Sequence, residues 1–486
     1  MSNISPSLMG FNFQNSYLDL PEVFYTIQKA VPVKDPSIIL FNVDLAREIG
    51  LDPESLSTPV GAAILSGNKG VEGAQSYAQG YSGHQFGYFT QLGDGRALTI
   101  GEHLSPSGER FDIQLKGSGK TPYSRRGDGR AGLGPMLREY LISEAMGHLG
   151  IPTTRSLAVV STGEKVYREY ALEGAILTRV AASHIRVGTF QFAASQPYHV
   201  IESLLRYTLE RHYPGCIGEA DEPMCLLRAF AERQARLIAQ WQAVGFVHGV
   251  MNTDNVSLAG ETIDYGPCAF MDRYHPDVVF SSIDTAGRYR FGNQPLIGKW
   301  NLARFAETLL TFMGDDGVQK ANQVLEHYDR IYEAEWLGIM RRKLGLLDEH
   351  EGDSVLVGTL LACMADDALD YSDTFVKLTQ GLFDGGRSDM SEAFRSWHEA
   401  WALRFSEQKA GLDERRTCMM RHNPVIIPRN HNVEHALNEW VFRGNNQPYM
   451  TLLEWLKQPY LYTDEQISAG APKDVWPKEY KTTCGT

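Results

Sequence analysis

Asp254, Asn255 and Asp264 fall within one short stretch, HGVMNTDNVSLAGETIDYG, at residues 248–266. An amide oxygen and a carboxylate are hard donors, suited to gripping one hard cation together with phosphate oxygens. A second carboxylate beside them is free to accept a proton. If Ala259-Gly260 centres a two-residue turn, Asn255 pairs with Asp264 and Ser257 with Thr262 on one face, and Val256 with Ile263 on the other. Opposed Cβ atoms in such a ribbon lie roughly 5 Å apart, close enough for a shared ion. A surface hairpin with polar ends is the other reading of the same residues.

Further candidates lie upstream. In RFDIQLKG, at 110–117, Phe111, Ile113 and Leu115 alternate with Asp112, Gln114 and Lys116, so Lys116 leaves the less apolar face of a strand. GPMLREYLISEAMGHLG, at 134–150, reads as a helix with Pro135 in its first turn and glycines at its end. Glu139 shares a face there with Met136, Ile142, Ser143 and Met146, and a carboxylate in apolar surroundings calls for a partner. Lys116 is a candidate, in the strand-lysine to helix-glutamate arrangement that aims an ammonium at nucleotide phosphates in protein kinases; two unrelated surface charges are the alternative. QLGDGRA places Gly93 and Gly95 around Asp94, with Arg96 adjacent, at a turn where backbone N–H groups can approach phosphate. A second glycine-rich, basic loop, YSRRGDGRAGLG, centres on Asp128 and Gly129. LTRVAASHIRVG sets Arg179 and Arg186 where both guanidinium groups could converge on one polyanion, or where each could make a surface salt bridge.

These parts need a scaffold. Before residue 200, glycine-punctuated segments with strand-like alternation dominate, including GAILTRVAASHIRVGTF; afterwards helical patterns take over, as at 224–245, 301–314, 321–345 and 354–380. This predicts an α+β, two-lobed fold with a β-rich front lobe and a helical back lobe. The 248–266 stretch follows a long helix ending near Gly245, at the junction between lobes where ligands commonly bind. The expected division is an N-terminal extension over 1–80, the front lobe over 81–195, and a helical lobe over 196–486 that carries the 248–272 hairpin and a C-terminal extension.

The net charge of −13 argues against nucleic acid or an anionic membrane as partner, since an acidic surface gains nothing from releasing their counterions. No apolar run approaches the roughly 18–20 residues that a membrane span needs. The start, MSNISPSLMGFNFQNSYLDLP, shows neither a basic leader nor an apolar core segment, so the cytoplasm is the expected setting. The cysteines show no C-x-x-C spacing, which excludes an obvious zinc site. Cys216, Cys225, Cys363 and Cys418 are expected to be buried and inert. Cys268 follows the Asp-Tyr-Gly, and Cys484 lies in the tail YKTTCGT.

Four blocks in order, GHQFGYFTQLGDGRA, LKGSGKTPYSRRGDGRA, LTRVAASHIRVGTFQ and HGVMNTDNVSLAGETIDYGPCAFMD, closely resemble the selenoprotein O family, and the likeness extends to NPVIIPRNHNVEHAL at 423–437. The resemblance implies a protein-kinase-like fold that transfers AMP from ATP to Ser, Thr or Tyr hydroxyls of protein substrates, releasing pyrophosphate. Some members use UTP and attach UMP. It implies Asp254 as general base, Asn255 and Asp264 as ligands of Mg²⁺ or Mn²⁺, and Lys116 paired with Glu139 and touching phosphate. Gly93, Gly95, Arg96, Asp128 and Gly129 would line the nucleotide pocket, with Arg179 and Arg186 on the far end of a triphosphate bound in reverse. Kinase-like phosphotransferases carry H-x-D-x-x-x-x-N; here His248 and Asn255 fit its ends, but Val250 stands where the basic Asp belongs. That disfavours an ordinary kinase, and intact Asp254, Asn255 and Asp264 disfavour an inactive nucleotide-binding scaffold. Eukaryotic relatives place selenocysteine near the C-terminus, so the resemblance also suggests a reversible Cys268–Cys484 disulfide tethering the tail across the site; two unpaired thiols in a reducing cytosol are the alternative.

Overall fold

The computed structural model of the chain describes residues 9–381, 383, 390–473 and 480–482. Among them, the alternating segments of the first half bury their apolar faces as a nine-stranded antiparallel sheet. Its main order is Tyr25–Ile27, Tyr77–Gln85, Ala97–Leu104, Arg110–Lys116, Ala171–Ala181, Arg155–Tyr167 and Ser37–Phe41. Tyr88–Gly93 pairs with Tyr77–Gln85, and Ala131–Gly132 with Ala171–Ala181. Strand Arg110–Lys116 is central, and both of its faces are covered: Ile113 and Leu115 on one, Asp112, Gln114 and Lys116 on the other. Polar groups so enclosed need partners. Asp112 finds Arg211 at 2.6 Å and the His184 ring at 2.9 Å, and the register sets Gln114 opposite Arg179, whose Nη2 donates to the Gln114 amide oxygen at 2.6 Å.

The helix Leu133–His148 crosses this sheet with Met136, Glu139, Ile142, Ser143 and Met146 all buried. Two late helices, Asn430–Arg443 and Gln447–Leu456, brace its outer side; Leu437, Trp440, Tyr449 and Leu453 share one apolar core with Leu137, Tyr140 and Leu141. The Tyr449 hydroxyl donates to the Leu137 carbonyl at 2.8 Å. The C-terminal region therefore fixes the helix that carries Glu139.

The second half is helical: Glu222–Ala243, Gln294–Leu309, Gly317–Lys343, Asp353–Asp366, Tyr371–Gln380, Glu392–Ser406 and Leu412–His422. Asp221 caps the first of these through the Met224 N–H, with proline in the first turn. The pattern read at 354–380 is two helices. Asp370 caps the second, its carboxylate accepting the Asp373 N–H at 2.8 Å and pairing with buried Arg429. The structure is the α+β, two-lobed arrangement predicted, with sheet and helices meeting along residues 246–291.

Three expectations are corrected. Residues 255–264 do not form a two-stranded hairpin. Gly260 does turn the chain, at φ 80°, but the flanking residues bond outward: Val256 and Leu258 to Val187 and Ile185, and Thr262 to Pro152 and Thr154. Edge groups from the sheet lobe satisfy this backbone better than its own two halves could, so the ribbon opens and stitches the lobes together. Second, the strand-like pattern fails after Ala181, since Val187–Ala194 is a helix, buried from Val187 to Ala193 with its polar Thr189 and Gln191 bonded inside. Third, Cys216 and Cys225 are not inert thiols; they form a disulfide with Cα atoms 5.6 Å apart. Cys363 is buried as expected, whereas Cys418 is partly exposed.

Candidate active site

His248, though buried, is not a spare core histidine. Its Nε2 lies 3.0 Å from the Ile263 carbonyl and its Nδ1 accepts the Val250 N–H at 3.3 Å, so one ring ties the two ends of the 248–264 loop. Asn255 donates its Nδ2 to the Val250 carbonyl at 2.9 Å, leaving its amide oxygen available. The loop is pinned from the sheet lobe as well, by the tip of the 77–93 hairpin. His84 N–H donates to Thr253 Oγ1 at 2.7 Å, and Phe86 N–H donates to Asn252 Oδ1 at 3.0 Å.

Asp254 is 7 % exposed. Its Oδ2 has only a long contact, 3.5 Å, from the Gln85 amide, and its buried Oδ1 has no hydrogen-bond partner among the described residues. Burial pushes its carboxyl up to about 6, against the opposing pull of Arg186. A carboxylate with a vacant oxygen and a raised proton affinity is suited to proton acceptance near neutral pH.

Asp264 has the opposite environment. Lys116 Nζ lies 3.0 Å and Arg179 Nη1 2.7 Å from its Oδ1, and Arg186 Nη2 lies 3.7 Å from its Oδ2. Despite the cost of burial, Lys116, Arg179 and Arg186 hold the carboxyl well below the usual range. Its φ of 65° is uncommon for a non-glycine residue, and such strain persists where surroundings over-determine it. Lys116 also donates to Glu139 Oε2 at 2.6 Å, and Arg179 Nη1 lies 3.4 Å from Glu139 Oε1. Arg186 stacks on the Tyr81 ring, 4.5 Å from its centre, and its buried Nε lacks an acceptor, as does that of Arg179. Two buried guanidinium groups with unused donors point to an anionic ligand.

These residues line one cavity of about 840 Å³, which the sequence-predicted Gly93, Gly95, Arg96, Lys116, Asp128, Gly129, Arg179, Arg186, Asp254, Asn255 and Asp264 all reach. Glu139 stands behind Lys116. Asp128 is already engaged: Arg168 donates to both of its oxygens, at 2.9 and 3.0 Å, and that hydrogen bonding lowers its carboxyl. Gly93 serves packing too, since a side chain there would strike the Tyr123 ring. Asn255 and Asp264 both line this cavity, and an amide oxygen with a carboxylate oxygen is a donor set that fits Mg²⁺ or Mn²⁺ completed by phosphate oxygens. No group of three or more His, Cys, Asp or Glu among the described residues offers a metal site by itself.

Gln85, Gln114, Tyr81, Asn252 and Arg168 were not anticipated. Gln114 was legible, since it shares a strand face with Lys116; Tyr81 and Gln85 also lie on a strand, but what they and the loop residues Asn252 and Arg168 meet is set by docking that no local pattern encodes. Cys268 is buried, its thiol pushed up to about 11 by burial. Cys484 lies outside the described residues. Just before it, Thr482 donates its hydroxyl to the Pro267 carbonyl at 2.6 Å.

Residues 7–457 match the family described as "Protein adenylyltransferase SelO". Full-length relatives named protein nucleotidyltransferase YdiU are similar throughout. The one from Geobacillus kaustophilus is 52% identical over 481 residues, covering 98% of this chain and 99% of its own length. Those from Bacillus cytotoxicus, over 484 residues, and Brevibacillus brevis, over 481 residues, are also 52% identical, each covering 98% of both chains. The chain belongs to the SelO family of protein adenylyltransferases and is an enzyme that transfers a nucleotide to protein substrates.

Proposed function

We propose that this protein transfers AMP from ATP to Ser, Thr or Tyr hydroxyls, with the triphosphate bound in the reverse of the kinase orientation so that its α-phosphate faces Asp254. The observation that carries this reading is the pairing of Val250 at the kinase base position with a buried, half-unpartnered Asp254 four residues later. The acceptor hydroxyl gives its proton to Asp254, and its oxygen forms a bond to the α-phosphorus. The bond from that phosphorus to the bridging oxygen breaks, and pyrophosphate leaves. Arg179 and Arg186 stabilise the departing charge with donors already in place, and Lys116, oriented by Glu139, binds phosphate. Gly93, Gly95, Arg96, Asp128 and Gly129 enclose the nucleotide. Asn255 and Asp264 would hold Mg²⁺ or Mn²⁺, which supplies charge neutralisation to the phosphates when bound.

The family description supports AMP as the transferred group, while the relatives' names leave the nucleotide open; UMP transfer from UTP by the same residues is the second reading. No helix among the described residues is long and apolar enough to cross a membrane, which is compatible with work on cytoplasmic proteins. Intact-mass analysis of an acceptor protein after incubation with ATP, and separately with UTP, tests the reading. A mass gain of AMP is expected; a gain of UMP alone supports the second reading, and a gain of phosphate contradicts both.

A further inference from the structure

Against the tip of the hairpin whose Gln85 reaches Asp254 lies an arginine, Arg288, with no carboxylate partner among the described residues. The Arg288 guanidinium stacks on Trp300, 4.6 Å from the ring centre, and a Cβ on Gly87 at the hairpin tip would lie 3.9 Å from its Cζ. No carboxylate of the described residues lies within 4.0 Å of it, and its buried Nε has no hydrogen-bond acceptor. Its nearest acid in sequence, Asp284, is spent on backbone, accepting the N–H groups of Arg288 and Tyr289 at 2.9 and 2.7 Å. The neighbouring Arg304 also packs on Trp300 but is neutralised by Glu307 at 2.5 Å.

The position of Arg288 is built. The Tyr289 hydroxyl donates to Asn252 Oδ1 at 2.7 Å, the same oxygen that receives Phe86 N–H, so the Arg288 segment, the hairpin tip and the Asp254 loop are locked together. Gln85, two residues before Gly87, is the side chain that reaches Asp254. Around this corner Tyr88 and Phe89 are 80% and 54% exposed, and His84 packs between Phe89 and Trp300. Exposed aromatics beside a stacked arginine are the composition of a protein-binding surface.

We infer that this shelf receives the acceptor protein, and that Arg288 selects acceptors carrying an Asp or Glu a few residues from the modified hydroxyl. The inference rests on the nucleotidyl-transfer reading above and names the substrate class for that site. Gln85, which reaches Asp254, and Gly87, which lies beside Arg288, are two residues apart, a reach of at most about 7 Å along the chain, so the acidic residue belongs within a few positions of the hydroxyl. In a chain of net charge −13, an arginine with no carboxylate within 4.0 Å gives an acidic segment a local attraction that runs against the overall charge. A planar guanidinium held against an indole offers its donors pre-oriented to a carboxylate.

The test uses peptides with a single hydroxyl and one Glu or Lys scanned along both flanks, scored by label transferred from α-labelled ATP. Wild-type protein is expected to show kcat/KM about five- to tenfold higher with Glu than with Lys at one flanking position, mainly through KM. Arg288→Gln erases the difference and Arg288→Glu turns it toward Lys, with the KM for ATP at its wild-type value in both, which also shows that the variants are folded. Transfer without Glu/Lys discrimination, or discrimination that survives Arg288→Glu, overturns the inference alone. Absence of α-label on every peptide overturns the nucleotidyl-transfer reading and the inference with it.

Discussion

A Cβ built on Gly83 would lie 2.5 Å from Asp254 Oδ1 and 2.9 Å from the Asp254 Cβ. The sheet lobe therefore approaches the proposed base so closely that only glycine fits opposite it. Gly83→Ala is expected to displace the carboxylate and lower transfer by about 100-fold, the cost of a displacement on the order of 1 Å at a reacting group. Nucleotide binding, measured by calorimetry, should change little. Wild-type transfer by Gly83→Ala would show that Asp254 does not act from this position.

Asp254 itself should show a trade of stability for function. Its folded carboxyl titrates near 6, above the usual 3.8, so the folded state binds the proton more tightly than the unfolded chain. Stability then falls as pH rises between those values, and the penalty is complete above pH 6. Asp254→Asn is expected to abolish transfer yet raise the melting temperature at pH 7.5 by roughly 2 °C, with no gain at pH 4. The wild-type kcat/KM profile should carry an acidic limb near pH 6.

The Lys116–Glu139–Asp264–Arg179 cluster makes Glu139 a positioning residue. Glu139→Gln should raise the KM for ATP about tenfold while the acidic limb of the pH profile stays in place, because Asp254 is untouched. Chelation of divalent ions should stop transfer, and Asp264→Asn should need more Mg²⁺ or Mn²⁺ to restore it. A shifted pH limb in Glu139→Gln would contradict this division of roles.

Away from the site, Lys343 is buried at the end of the Gly317–Lys343 helix with its ammonium 4.1 Å from the centre of the Phe375 ring. Burial lowers it from 10.5 to about 7. Between those values the unfolded chain carries a proton that the folded chain lacks, so stability rises with pH through that window. Lys343→Met should stabilise the protein, and urea melts should show a larger gain at pH 6 than at pH 9.

Much of this arrangement was legible in the sequence because it is local or periodic. Lys116 and Glu139 were visible through alternation in a strand and an apolar stripe on a helix, and the glycine-rich basic loops announced themselves. What local pattern could not give was the fate of 255–264, whose hydrogen bonds are satisfied by Ile185, Val187, Pro152 and Thr154, residues distant in sequence. The helix Val187–Ala194 was hidden for a related reason: buried on all sides, it shows no amphipathic period. Gln85 reaches Asp254 only because a hairpin tip docks on a loop 169 residues away.

The Cys268–Cys484 disulfide that the resemblance suggests gives one more expectation. Thr482 already holds the tail against Pro267, next to Cys268. Peptide mapping under non-reducing conditions after oxidation should find Cys268 linked to Cys484; both thiols alkylated under those conditions would remove the link.

The most direct test of the account is a structure of Asp254→Ala with a non-hydrolysable ATP analogue and Mg²⁺. The account predicts the α-phosphate beside residue 254, the terminal phosphates on Lys116, Arg179 and Arg186, and the metal on Asn255 and Asp264. A terminal phosphate at residue 254, with the adenine deep between the lobes, would contradict it.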